Sequence, residues 1–121
     1  MNNGRKITGG KYHAIRKKRS FEGFVQSRPV LLGTTKRKQL RMRGGAQKTI
    51  LLKSDEANVM IKGKVQKAKI VNVEQTPQNP FLARQNRLMK GAIIATSLGK
   101  AKITNRPSQE GLVNAVLVES K

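Results

Sequence analysis

Residues 88–118 read LMKGAIIATSLGKAKITNRPSQEGLVNAVLV. Apolar segments at Leu88 to Thr96, Lys100 to Thr104 and Leu112 to Val118 are separated by Ser97-Leu98-Gly99 and by Asn105 to Gly111. This spacing predicts three strands, with Ser97-Leu98-Gly99 as a hairpin turn. The last segment, LVNAVLV, is apolar at nearly every position, as expected for a strand covered on both faces or one that closes a barrel.

Upstream, Lys64 to Val73 (KVQKAKIVNV) is rich in β-branched residues, but its alternation changes phase. Ala68 and Ile70 share one face, Val71 and Val73 the other. A slip of one residue exchanges core and solvent faces unless a residue is inserted, so a bulge or strong bend is expected near Ile70. Thr76 to Pro80 (TPQNP) reads as a loop, because each proline removes a donor and biases its predecessor away from the helical region. A short helical turn is expected at Phe81 to Arg84. Lys48 to Lys53 and Ala57 to Lys62 fit two more strands, although Ser54-Asp55-Glu56 between them has the composition of a short helix cap. Lys38 to Arg43 reads as a strand that ends at Gly44-Gly45. Short strands at about ten-residue spacing argue for a small β-barrel or sandwich. The fold class expected is all-β: a closed or partly open barrel of about six strands over residues 38–121, preceded by a basic, largely irregular extension over residues 1–37.

Composition sets the kind of core. The chain has 121 residues, of which 36% are hydrophobic and 3% aromatic, so the core must be aliphatic. Cysteine is absent, which excludes disulfides, thiolate metal sites and cysteine catalysis. No apolar run reaches signal-peptide or membrane-span length, so a soluble intracellular protein is expected. The apolar residues of the extension (Ile7, Tyr12, Ile15, Phe21, Phe24, Val25, Val30, Leu31, Leu32) are too dispersed to close a core. They are expected to seat it on the globular domain or on neighbouring proteins. A disordered basic tail is the plainer reading of the same composition.

Charge is distributed unevenly. Residues 1–53 hold fifteen Lys and Arg against one acid, Glu22, out of a chain total of 26 bases and 6 acids with net charge +20. Such density opposes compaction and favours a polyanionic partner, because each neutralised phosphate releases condensed counterions.

No catalytic constellation is visible. The single histidine, His13, lies among Lys and Arg and reads as a base-stacking or phosphate contact rather than a general base, which needs a positioned partner. The acids are scattered; Asp55-Glu56 reads as a solvated turn rather than an ion site. The phosphate-loop, zinc-protease and nucleophile-elbow motifs are absent, so neither an enzyme nor a cofactor or metal is expected.

The basic clusters are interleaved with glycine. In Lys6-Ile7-Thr8-Gly9-Gly10-Lys11, with Arg5 beside it, backbone N–H groups unshielded by side chains stand next to ammonium groups, which suits close approach by phosphate. Arg16-Lys17-Lys18-Arg19 is a cationic block with reach to bridge phosphates on two strands; a solvated charge run or a nuclear-targeting patch has the same composition. Arg28 continues the basic surface. In Lys36-Arg37-Lys38-Gln39-Leu40-Arg41-Met42-Arg43-Gly44-Gly45, alternation is expected to aim Arg41 and Arg43 outward while Leu40 and Met42 enter the core. Guanidinium grips phosphate bidentately, so these two arginines are expected to tolerate lysine poorly. Lys48 follows on the next strand. Lys62, Lys64, Lys67 and Lys69 form a second stripe and Lys100, Lys102 and Arg106 a third, although outward lysines also blunt edge pairing. With so few aromatics, recognition of RNA shape and phosphate is expected over reading of single-stranded bases.

Three blocks resemble a known family: Lys6 to Gly23 (KITGGKYHAIRKKRSFEG), Arg41 to Lys48 (RMRGGAQK) and Lys90 to Val118. Together they cover essentially the whole chain, which resembles the archaeal and eukaryotic small-subunit ribosomal proteins numbered eight, type e, in their short archaeal form. The resemblance implies a compact β-barrel with its basic extension threaded into ribosomal RNA, and a structural role in assembling the subunit. It also implies that Gly9, Gly10, Gly44, Gly45, Lys11, Arg16, Lys17, Lys18, Arg19, Arg41, Arg43 and Lys48 face RNA, and that neighbouring ribosomal proteins are partners. The chain departs from the family pattern at Ala46, where Asn is common, and at Ser108, where Gly follows the proline. The first removes a polar contact to RNA; the second implies a different shape for the Asn105 to Gly111 turn. The rival classes are a free-standing translation or RNA-chaperone factor and a cationic membrane-active protein. The latter requires an apolar helical face that Arg16 to Val25 lacks.

Overall fold

The computed structural model describes residues 4–13, 15–24 and 27–118; Val25, one of the apolar residues of the extension, lies outside them. Chain order is β1 (Val30–Leu32), β2 (Lys36–Arg41), β3 (Gln47–Ser54), β4 (Glu56–Ile61), β5 (Lys64–Gln75), α1 (Pro80–Arg84), β6 (Arg87–Leu88), β7 (Ile93–Thr96), β8 (Gly99–Ile103), α2 (Pro107–Glu110) and β9 (Asn114–Leu117).

The phase slip in β5 is the hinge of the architecture. Ala68 and Ile70 are buried, Val71 is exposed and Val73 is buried again, and the pairing register shifts between Ile70 and Asn72. The inserted residue lets one long strand turn a corner. Its first half pairs with β4, from Glu56↔Lys69 to Ile61↔Lys64, and its second half with β7, from Ile70↔Thr96 to Gln75↔Ile93. Strands β4, β5, β7, β8 and β9 form a closed barrel, shut by the parallel pair β4·β9. Asn58 Nδ2 donates to Asn114 Oδ1 across that seam at 3.2 Å, a side-chain link between two residues that are also register partners.

The fold class is thus the all-β barrel expected, with five strands in the barrel and a second sheet ordered β2-β3-β1-β6. A five-stranded barrel has little interior room, and the residues facing inward are accordingly Ala57, Ala68, Ala101 and Ala115 interleaved with Val59, Ile94 and Ile103. Val30, Leu51 and Leu88 of the second sheet join the same core. All four aromatic residues, Tyr12, Phe21, Phe24 and Phe81, are exposed, so the core is aliphatic throughout.

Several local expectations are corrected. Val30 to Leu32 form β1 rather than part of an irregular tail: Leu31 pairs with Lys53 in parallel and with Arg87 antiparallel, and Val30 is 1% exposed. Three residues suffice because neighbours on both sides satisfy them, a non-local arrangement that periodicity does not record. Leu88 to Thr96 is two strands, because Met89 to Ala92 carries the chain from the second sheet into the barrel. Val113, just before β9, and Ala115 within it are buried while Val116 is exposed, so of the two readings of this segment the barrel-closing one holds and cover on both faces does not. Ser54 to Glu56 is a tight turn, not a helix start, with Ser54 Oγ donating to the Glu56 carbonyl.

Helix α1 starts as its sequence dictates: Pro80 occupies the first turn and Asn79 Oδ1 accepts the Phe81 N–H at 3.0 Å. The Asn105 to Gly111 segment contains α2, and Asn105 pins it by donating to the Leu112 carbonyl and accepting the Asn114 N–H. Just before α1, Thr76 is buried and its hydroxyl has no protein partner. A buried hydroxyl left unpaired costs about 1–3 kcal/mol, so Thr76→Val is expected to raise stability by about 1 kcal/mol. Thermal unfolding should show a melting point a few degrees higher; a lower one would mean that the hydroxyl has a partner in solution.

Candidate nucleic-acid interface

The extension carries its bases on two small turns. An antiparallel bridge joins Arg5 to Lys11, and Lys6 and Gly10 bond across the loop at 3.0 Å. The Gly9 N–H, which composition would leave open to phosphate, donates instead to the Lys6 carbonyl at 2.8 Å. Arg5 Nη1 donates to the Gly9 carbonyl, and the Lys6 ammonium lies 5.7 Å from the centre of the Tyr12 ring. The second turn, Ser20–Glu22, is built around the one acid of the region. Glu22 accepts two bonds from the Arg16 guanidinium, at 2.6 and 2.9 Å, and one from the Arg19 N–H. His13, Lys17, Lys18 and Arg19 are exposed. So are Ile7, Ile15, Phe21 and Phe24, with Ile15 at 94% and Phe24 at 96%. These apolar groups do not seat the extension on its own barrel, which corrects one of the two docking roles expected of them.

The Glu22 carboxylate therefore competes with any phosphate for the Arg16 guanidinium. The guanidinium of Arg16, with the Arg19 N–H, holds the Glu22 carboxyl below the usual glutamate range, and Glu22 raises Arg16 in turn. A depressed carboxyl pKa means that the pair is intact above the ordinary glutamate value and is lost as pH falls through the lowered one. Glu22→Gln is expected to strengthen binding to a polyanion severalfold and to steepen the salt dependence by roughly one contact's worth, read by RNA titration at several salt concentrations.

The second basic element is the β2–β3 hairpin. β2 is an edge strand, and β1 covers β3 only at Lys53 and Ser54, so the opposite end of the hairpin projects as a two-stranded ribbon. This geometry corrects the placement of Arg41 and Arg43. Arg41 ends β2 opposite Gln47, whereas Arg43 opens the Arg43–Gly45 turn, and the two do not share a strand face. Leu40 is only half-buried and Met42 is exposed, because no layer covers the ribbon's tip. Gly44 and Gly45 both have positive φ, 74° and 83°, and a Cβ on either would meet nothing within 4 Å. Two consecutive left-handed residues make an open, thin tip available for close approach.

Arg37 and Lys48 are committed within the protein. Arg37 Nε donates to the Gly111 carbonyl at 3.0 Å, and Lys48 Nζ donates to Gln109 Oε1, so both fasten the hairpin to the α2 segment. Lys36 and Lys38 remain exposed. Of the weaker stripes, Lys62, Lys64, Lys67 and Lys69 are exposed on the β4–β5 hairpin, while Lys100 pairs with Glu74 at 2.8 Å. Arg28 stands apart from these clusters. It borders a groove with Arg87, Lys90, Lys102 and Arg106. Arg87 and Lys90 carry no sequence signal beyond their charge, and only the chain crossing between the two sheets brings them there.

Among the described residues there is no group of three or more His, Cys, Asp or Glu able to hold a metal ion. No helix among them is long and apolar enough to cross a membrane.

The family model described as ribosomal protein S8e matches residues 1–118. Small ribosomal subunit protein eS8 of Methanocorpusculum labreanum is 49% identical over 117 residues, covering 95% of this chain and 94% of that protein. The proteins of the same name from Methanocella arvoryzae and Methanosarcina barkeri are 45% and 44% identical over 116 and 117 residues, covering 94% and 95% of this chain and 93% and 94% of their own lengths. A match of this extent, running through the extension, the hairpin and the barrel alike, places the chain in the ribosomal protein S8e family.

Proposed function

We propose that the chain is a structural, non-enzymatic constituent of the small ribosomal subunit that binds ribosomal RNA through its extension and the tip of the β2–β3 hairpin. The observation that carries this reading is the coincidence of charge and exposure: apart from Arg28, Arg37, Lys48 and Lys53, the bases of residues 1–53 lie exposed on irregular turns and a projecting ribbon, outside the aliphatic core. Arg5, Lys6, Lys11, Lys17, Lys18 and Arg19 neutralise phosphates where RNA helices converge. Lys36, Lys38, Arg41 and Arg43 grip a second site beside the bare Gly44-Gly45 tip. Exposed Ile7, Ile15, Phe21 and Phe24 suit neighbouring ribosomal proteins or the RNA itself.

The test is electrostatic. With roughly eight phosphates engaged and a slope near −0.7 per contact, affinity for folded small-subunit RNA is expected to fall by about three orders of magnitude between 50 and 200 mM salt. Affinity that barely changes would refute the account. Retention of the chain in purified small subunits after a high-salt wash supports an integral constituent, and ready loss supports a free-standing factor.

A further inference from the structure

A groove of about 850 Å³ lies where the second sheet meets the barrel, between the approach to β1, strand β6, the β6–β7 crossing and α2. Its chemistry is one-sided: Arg28, Arg87, Lys90, Lys102 and Arg106 line it, and no carboxylate among the described residues does. Glu110 on α2, next in the chain to the lining residue Gln109, is turned to Asn105 Nδ2 at 3.0 Å and to the Arg106 N–H, and sits beside Lys90 and Arg106. Arg87 is braced by donation from Nε to Gln85 Oε1 at 2.7 Å, which leaves its terminal N–H groups unused by that bond. Lys102 stands on β8, where the Ile93 and Val116 pairings fix its position. Half-buried Leu82 and Met89 supply apolar wall between the cations.

Size and lining together restrict the occupant. The volume falls within the ~300–1,000 Å³ of small-ligand sites. Five cations around apolar wall match a flat, partly apolar group that carries phosphates at its edges. A fully paired helix is too wide to enter, whereas a single nucleotide out of the stack is not. We infer that this groove takes one unpaired nucleotide of RNA, its base against Leu82 and Met89 and its flanking phosphates on Arg28, Arg87, Lys102 and Arg106. The inference rests on the RNA-binding reading and adds to it a discrimination that phosphate contacts alone do not provide, between bulged and continuous helix.

The test uses the full chain and two RNA hairpins that differ by one bulged nucleotide, at fixed salt. The bulged RNA is expected to bind about tenfold more tightly, since a base covered by Leu82 and Met89 takes apolar surface out of water that a continuous helix leaves exposed in the groove. The double variant Arg87→Ala with Arg106→Ala is expected to abolish the difference. A double variant outside the groove, Lys64→Ala with Lys67→Ala, is expected to weaken both RNAs equally. Should the groove variant unfold, a photoreactive uridine at the bulge of the RNA bound to the unaltered chain decides the matter: crosslinks to Met89 or Leu82 support the site, and crosslinks only to residues 4–24 or 36–48 overturn it. Equal affinity for both RNAs overturns the groove while the general RNA-binding reading stands. Failure to bind either RNA removes both.

Discussion

A chain that begins at Ser27 is expected to melt at the temperature of the full chain, whereas one that begins at Arg37 is expected to lose about 3–5 kcal/mol of stability. The difference lies in three residues. Val30 is 1% exposed, and full burial of such a side chain contributes about 1.5–3 kcal/mol. Removing β1 also strips cover from Leu51 and Leu88, both buried, and breaks the pairings of Leu31 with Lys53 and Arg87. That sum approaches the whole stability of a small domain. Residues 4–24, by contrast, place no side chain in the core. We therefore propose that the folded unit starts just before Pro29, several residues upstream of the boundary that composition suggests.

The same Ser27 chain separates folding from binding. It lacks Arg5, Lys6, Lys11, Arg16, Lys17, Lys18 and Arg19, so its affinity for folded RNA is expected to drop roughly 100-fold or more near physiological salt, and its salt slope to become shallower by up to about 5. Circular dichroism and RNA titration on one preparation read both effects. An unchanged slope would mean that the extension does not meet phosphate.

How much of this was legible beforehand follows from the range over which each signal acts. The bulge near Ile70 was readable because a phase slip is local: two residues with the wrong parity within one strand demand an insertion. The aliphatic core was readable from composition alone. What escaped was decided by contacts between distant residues. Val30 to Leu32 are too few to show a period, and their place between β3 and β6 depends on residues more than twenty and fifty positions away. Alternation at Leu40 to Arg43 promised a buried face, but burial needs an opposing layer, and none extends over the hairpin tip. Basic residues were visible everywhere; which of them are spent inside the protein was not. Arg37 and Lys48 resemble Lys36 and Lys38 in sequence and differ only because α2 lies beside them.

The contact that holds α2 there leads to the other large effect. Gly111, which ends α2, is expected to be among the least replaceable positions in the chain, although nothing in its local sequence distinguishes it from Gly44. Both have positive φ, 76° and 74°, a region in which an L-residue costs about 1–2 kcal/mol. Their surroundings differ. A Cβ at Gly44 would meet nothing within 4 Å, but one at Gly111 would stand 3.1 Å from the Thr49 carbonyl oxygen and 3.2 Å from Thr49 Cγ2. The carbonyl belongs to the backbone of β3, which β2 holds through Gln39↔Thr49 and its neighbours, so it cannot retreat without disturbing the hairpin. Arg37 draws the same segment inward by donating to the Gly111 carbonyl. Gly44→Ala is therefore expected to cost about 1–2 kcal/mol, and Gly111→Ala about 2–4 kcal/mol because overpacking adds to the conformational cost. In thermal unfolding the second variant should melt roughly 5–15 °C below the first. Equal melting points would show that α2 is free to lift from β3, and with it that Arg37 and Lys48 are not held by α2 and remain available to phosphate.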